Sequence, residues 1–134
     1  MALPLTNFIR KIMLIGNGLT FLVIAIYGVF AAKKAAFIYG FTLNGLDGLN
    51  EYRAVFIGFW IGLTVLFFTA ARRVEEPLLG DIGFFMIFLQ AMGRLLSFVL
   101  DGIPGPLFVI FFFGETTVSV IGLILRPTPS PRDT

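Results

Sequence analysis

Long uncharged apolar runs, interrupted by paired basic residues and clusters of turn formers, set the pattern of this chain. The first run covers about residues 8–32, with Arg10 and Lys11 near its start and Lys33 and Lys34 just beyond it. A connector from Ala35 to Asn50 holds a short apolar segment, Phe37-Ile38-Tyr39, suited to an interface, and then two turn dipeptides, Asn44-Gly45 and Asp47-Gly48. The second run, about 51–71, is uncharged from Ala54 onward and ends at Arg72-Arg73; Pro77 beyond it is placed to open a new helix. The third, about 77–100, is the least apolar, with Asp81 near its start and Gln90 and Arg94 inside it. Asp101-Gly102-Ile103-Pro104-Gly105-Pro106 makes a tight connection to the fourth, about 107–125, which is broken only by Glu115, Thr116 and Thr117 and stops at Arg126.

About 20 apolar residues at 1.5 Å per residue cross a ~30 Å hydrocarbon layer. The pattern therefore predicts an all-α membrane protein: four transmembrane helices in a compact antiparallel bundle over residues 1–126. A proline-rich tail, 127–134, has three prolines and no apolar side chain to bury, and is expected to be disordered. The first run resembles a signal peptide in its basic start and its small-residue end at Val29-Phe30-Ala31. Its greater length, with Asn17 and Tyr27 inside it, favours a retained helix.

Composition narrows the chemistry. The chain is 57% hydrophobic and 13% charged, outside the range of water-soluble domains. Cysteine and histidine are both absent, which removes thiol nucleophiles, iron–sulfur clusters, histidine-ligated haem and the usual zinc sites. No cofactor or metal is expected. The net charge is only +2 and the basic residues sit in pairs near span ends, so nucleic acid is not a partner. Arg10, Lys11, Arg72, Arg73, Arg126 and Arg132 would share one side, against Lys33 and Lys34 on the other. By the positive-inside rule both termini are cytoplasmic, and the expected location is a bacterial inner membrane.

Polar residues within the spans supply the candidate site. Gln90, Arg94, Ser97 and Asp101 recur at spacings of four, three and four, one face of the third helix. Glu115 lies about ten residues into the fourth span, near the bilayer midplane, where an unpaired carboxylate is costly. Arg94 enters from the same outer side and reaches toward it; Arg53, with Glu51 beside it, is expected at a similar level. The candidate cluster is Arg53, Arg94 and Glu115, with Gln90 as inner neighbour and Glu51 and Asp101 at the rim. Two arginines against one deep carboxylate call for a rim acid or a bound anion. Asp81 is expected to cap the third helix. Gly16 with Thr20, and Gly58 with Gly62, form small-xxx-small pairs expected to bring helices of one chain together, and the second pair leaves a homo-oligomer open.

Two functional readings follow. In one, the protein is a small accessory or assembly protein that binds membrane lipids or packs against a larger membrane complex, and the charges fix helix neighbours. In the other it is a minimal transporter or membrane enzyme for a lipid-like or small anionic substrate, with Arg53 and Arg94 as anion ligands and Glu115 as proton carrier.

Asn50-Glu51-Tyr52-Arg53-Ala54 opening the second span, Gly93-Arg94 with Ser97 and Asp101-Gly102-x-Pro104 closing the third, and Glu115 in the fourth carry a resemblance. In their order and placement they resemble a widespread bacterial family of small four-helix membrane proteins catalogued only as a domain of unknown function. The resemblance runs from the first helix to Arg126. It implies a compact four-helix membrane protein with no assigned activity, and it marks Arg53, Arg94 and Glu115 as matching positions.

Overall fold

A computed structural model describes residues 4–127. The described residues form five helices and no strand: α1 (Leu5–Phe30), a short α2 (Ala32–Ile38), α3 (Gly45–Arg72), α4 (Pro77–Asp101) and α5 (Pro106–Ile124). All but α2 are long and apolar enough to cross a membrane. Their outward faces are studded with exposed leucine, isoleucine, valine and phenylalanine, from Leu5 and Val23 to Val99 and Ile124. On α5 only Ser119 and Gly122 are buried. Water would penalise such a surface heavily, whereas lipid tails would not, and the four long helices are compatible with an integral membrane protein. The proline-rich tail lies outside the described residues from 128 onward.

The helices associate as two pairs. α1 packs along α3 and α4 along α5; α3 joins the pairs by lying against α4, and α1 barely touches α5. A column of rings crosses this core: Phe21 stacks on Phe67 at 5.9 Å between centroids, and Phe67 meets Phe84 edge-on at 5.9 Å. Glycines let the helices close on these rings. Gly18 admits Phe68, Gly83 admits Phe67, and Gly122 lies so near the Phe84 ring that an added methyl would overlap it. Gly16, Gly58 and Gly62, expected to make the close approaches, do not: a methyl group at Gly16 or Gly62 would enter open space, and one at Gly58 would meet only its own helix's Arg53 carbonyl. The reason is rotational. The buried positions Leu14, Gly18, Phe21, Ala25 and Gly28 define α1's inner stripe, and Gly16 lies off it.

One turn departs from the sequence expectation. Asp47-Gly48 is not a turn but part of α3, which begins after Asn44 at Gly45 (φ +63°) and places Asp47 in its first turn, where the helix dipole favours a carboxylate. Within α3, residues Tyr52–Ile57 are wound as a π-helix, with the Gly58 amide donating to the Arg53 carbonyl five residues back. α2 ends in a Schellman turn at Gly40 (φ +80°): the Phe41 amide donates to Ala36 O and the Gly40 amide to Phe37 O, both at 3.0 Å. That turn sets Tyr39 and Phe41 beside the bundle core.

One end of the bundle is tied by Arg10, which is fully buried. Its Nη1 donates to Gly122 O (2.6 Å) and Leu125 O (2.9 Å) at the end of α5; Nη2 donates to Pro77 O (3.3 Å) and Asp81 Oδ1 (2.6 Å) at the start of α4. A methyl on Gly80 would fall 2.6 Å from Arg10 Nη2, so only glycine leaves room for the guanidinium. Asp81 therefore does not cap α4. The cap position is Glu76, with no side-chain capping bond, and Asp81 sits a turn further in, drawn to the buried cation.

Candidate functional site

The last carbonyls of an α-helix have no partner in their own ladder. At α5 one such carbonyl, Gly122 O, is taken by Arg10, so that end is closed by protein alone. Away from Arg10 the structure leaves two cavities. The larger, about 730 Å³, lies among α3, α4, the start of α5 and the α2–α3 connector; the smaller, about 370 Å³, lies among all four long helices. Tyr39, Trp60, Gln90 and Arg94 line both.

Most of the lining is aromatic or aliphatic, with Phe56, Phe59 and Phe98 in the larger cavity and Phe21, Ile87 and Phe111 in the smaller. The polar exception is a triad. Arg94 on α4 forks onto Glu115 on α5, Nε donating to Oε2 (2.8 Å) and Nη2 to Oε1 (3.0 Å), while Gln90 Nε2, one turn earlier on α4, donates to Oε1 (2.9 Å). Bidentate pairing of this kind is both directional and strong. The guanidinium lies over Phe111 (5.4 Å to the centroid) and Phe108 (5.9 Å), whose ring faces stabilise the cation. The two side chains keep 18% and 19% exposure, against 1% for Arg10, so this pair borders open space. Arg94 Nη1 donates to no protein acceptor among the described residues.

Tyr39, outside the spans, stands by the triad and packs on Trp60 (5.9 Å) and Phe111 (6.4 Å). Burial pushes its phenol above the ordinary value; the Arg94 charge opposes the rise and Glu115 adds to it.

The six residues expected as a cluster separate into three groups. Gln90, Arg94 and Glu115 come together, and Ser97 lines the larger cavity beside them. Asp101 is exposed and accepts from Ser97 Oγ (3.1 Å) within α4. Arg53 and Glu51 do not join. Arg53 lines a separate notch with Lys33 and Lys34, and neither residue forms an ion pair among the described residues. The π-helical turn explains the displacement: an extra residue in the helical ladder rotates the turns before it by about 100° relative to those after it. Trp60 then lines the two cavities with Gln90 and Arg94 of α4, while Arg53 lines the notch at the end of α1.

Sequence reasoning missed Arg10 and Asp81 as partners, and missed Tyr39 and Trp60 as cavity walls. A signal for the first pair was present: each is an ionisable residue inside an apolar run, and such residues seek one another in lipid.

The chain belongs to the family described as "Domain of unknown function (DUF4345)", which matches residues 9–126. No curated protein and no solved structure matches it.

Proposed function

From that membership, which brings a domain and no activity, we propose that the protein binds an amphiphile between its two helix pairs. The apolar body of the ligand lies along the aromatic walls of the two cavities and its polar end meets Gln90, Arg94 and Glu115. This makes it an accessory or lipid-binding protein of a bacterial inner membrane, a bundle of antiparallel spans with both termini cytoplasmic. The observation that carries the reading is the position of the ion pair: one bidentate Arg–Glu fork, partly open, on the shared boundary of two mainly apolar cavities. Ligand sites are commonly of this size, apolar with a few convergent polar groups.

Charge selects the headgroup. With Arg53 elsewhere, Arg94 is balanced one to one by Glu115, and no anion is needed for neutrality. A neutral or zwitterionic end with a hydrogen-bond acceptor for Arg94 Nη1 suits the site. The orientation rests on the basic residues: Arg10, Lys11, Arg72, Arg73, Arg126 and Arg132 still outnumber Lys33, Lys34 and Arg53.

The test uses Trp60, the sole tryptophan and a wall of both cavities. Titration of the detergent-solubilised chain with a zwitterionic single-chain amphiphile brominated along its tail should quench its fluorescence saturably. Gly93 lines the larger cavity, and a methyl there meets nothing within 4 Å; Gly93→Leu should fill the space and abolish saturation while helical content and melting stay as they were. Arg94→Ala should weaken binding. Quenching that rises linearly and ignores Gly93→Leu would overturn the reading.

A further inference from the structure

A third recess lies where α1 ends, α2 begins and α3 makes its first turns. It measures about 410 Å³ and is lined by Phe30, Ala31, Ala32 and Leu49 together with Lys33, Lys34 and Arg53. Three of its seven lining residues are cations. None of the three forms an ion pair among the described residues, although Glu51 is only two positions from Arg53. Like charges brought round one recess repel, and a counter-anion relieves that repulsion.

The notch is held by the fold. Ala32, Ala35 and Ala36 are buried against the bundle and fix α2, so Lys33 and Lys34 project from an anchored backbone. Arg53 is turned toward them by the π-helical segment of α3. The surroundings point to a lipid: Phe30 is 86% exposed and Phe37 77%, apolar rings at the end of a membrane-spanning helix beside a cationic recess. An acyl chain packs on such rings while its headgroup reaches the cations.

We propose that this notch binds the phosphate of an anionic phospholipid headgroup through Lys33, Lys34 and Arg53. The site is separate from the cavities around Arg94 and differs in ligand charge, so it stands or falls independently of the amphiphile reading.

The experiment is native mass spectrometry of the full chain from micelles containing equal phosphatidylglycerol and phosphatidylcholine. Phosphatidylglycerol should be retained selectively. Each of Lys33→Gln, Lys34→Gln and Arg53→Gln should lower its affinity about fivefold, and the three together on the order of a hundredfold, following the usual contribution of a basic residue near an anionic surface. Lys11→Gln with Arg72→Gln and Arg73→Gln removes the same charge at the other end and should leave retention unchanged. Equal retention of the two lipids, or equal losses in the two triple variants, would overturn the proposal. Displacement of the lipid by inorganic phosphate would assign the notch to the free anion and overturn the lipid. The single variants keep the test open should a triple variant unfold.

Discussion

Replacing Arg10 by Met should be among the most damaging substitutions in the chain. The guanidinium makes four hydrogen bonds to two helices other than its own, three to carbonyls and one to a carboxylate. Hydrogen bonds to charged groups contribute about 1.5–3 kcal/mol each, and adding them would give about 6–12 kcal/mol, as much as the whole stability of an ordinary domain. The sum overshoots because removing Arg10 also relieves the cost of burying its charge. Losing one partner of a buried ion pair costs about 3–5 kcal/mol, the better guide here. Asp81→Asn should cost less, about 1–2 kcal/mol, because Asp81 is 28% exposed and the guanidinium keeps its three carbonyls. The double variant should fall short of the two losses combined, since Asp81 has nothing to lose once Arg10 is gone. Reversible unfolding in mixed micelles, followed by circular dichroism, measures all three. An Arg10→Met loss below about 1 kcal/mol, or an Asp81→Asn loss equal to it, would refute the account of Arg10 as the tie between α1, α4 and α5.

Two further predictions follow from packing and burial. Gly122→Ala drives a methyl into the ring of Phe84, which is fully buried and edge-on to Phe67, and should destabilise by about 1–3 kcal/mol; Gly62→Ala meets open space and should be neutral or stabilising by up to about 1 kcal/mol. Comparable melting shifts in the two variants would show that the assignment of inner and outer glycines is wrong. The phenol of Tyr39 is held above its ordinary 10.0, chiefly by burial, so the folded chain keeps that proton when the unfolded chain has lost it. Its contribution to stability is complete below pH 10 and is lost as pH rises through the raised value. Stability measured against pH should fall more steeply above pH 10 for the natural chain than for Tyr39→Phe, and identical slopes would remove Tyr39 from the account.

The four spans are legible because lipid imposes a simple rule, long apolar runs with every backbone group bonded internally. The meeting of Arg94 with Glu115 is legible for a related reason. Depth along a regular helix is arithmetic, and a buried carboxylate must find a partner. Arg53 illustrates where that arithmetic stops: it assumes 3.6 residues per turn, and the π-helical residues Tyr52–Ile57 break the assumption without a proline or a glycine pair to announce it. Arg10 hides for another reason. Three of its four acceptors are backbone carbonyls, which leave no trace in residue identity, and its position next to Lys11 makes it look like one half of a topogenic pair. The helix faces were equally hidden, since the small-xxx-small pairs Gly16/Thr20 on α1 and Gly58/Gly62 on α3 face outward, whereas Gly18, which faces in, belongs to no such pair.

Two arginine–carboxylate pairs of the same chemistry thus serve different ends, and their surroundings separate them. Around Arg10 the protein supplies acceptors to both terminal nitrogens, the side chain is fully enclosed, and Gly80 and Phe84 leave no space beside it. A group so completely satisfied has no capacity left for a ligand; its effect is to hold three helices together at one end. Around Arg94 the fork to Glu115 leaves one terminal nitrogen without an acceptor among the described residues, and open volume adjoins the pair on two sides. A purely structural pair gains nothing from that openness, because water or lipid admitted beside it weakens the attraction between its charges. The closed end and the open middle are complementary: fixing α1, α4 and α5 through Arg10 allows the helix pairs to part around Arg94 without coming apart. This division of charges is the ground on which the amphiphile site between them is proposed.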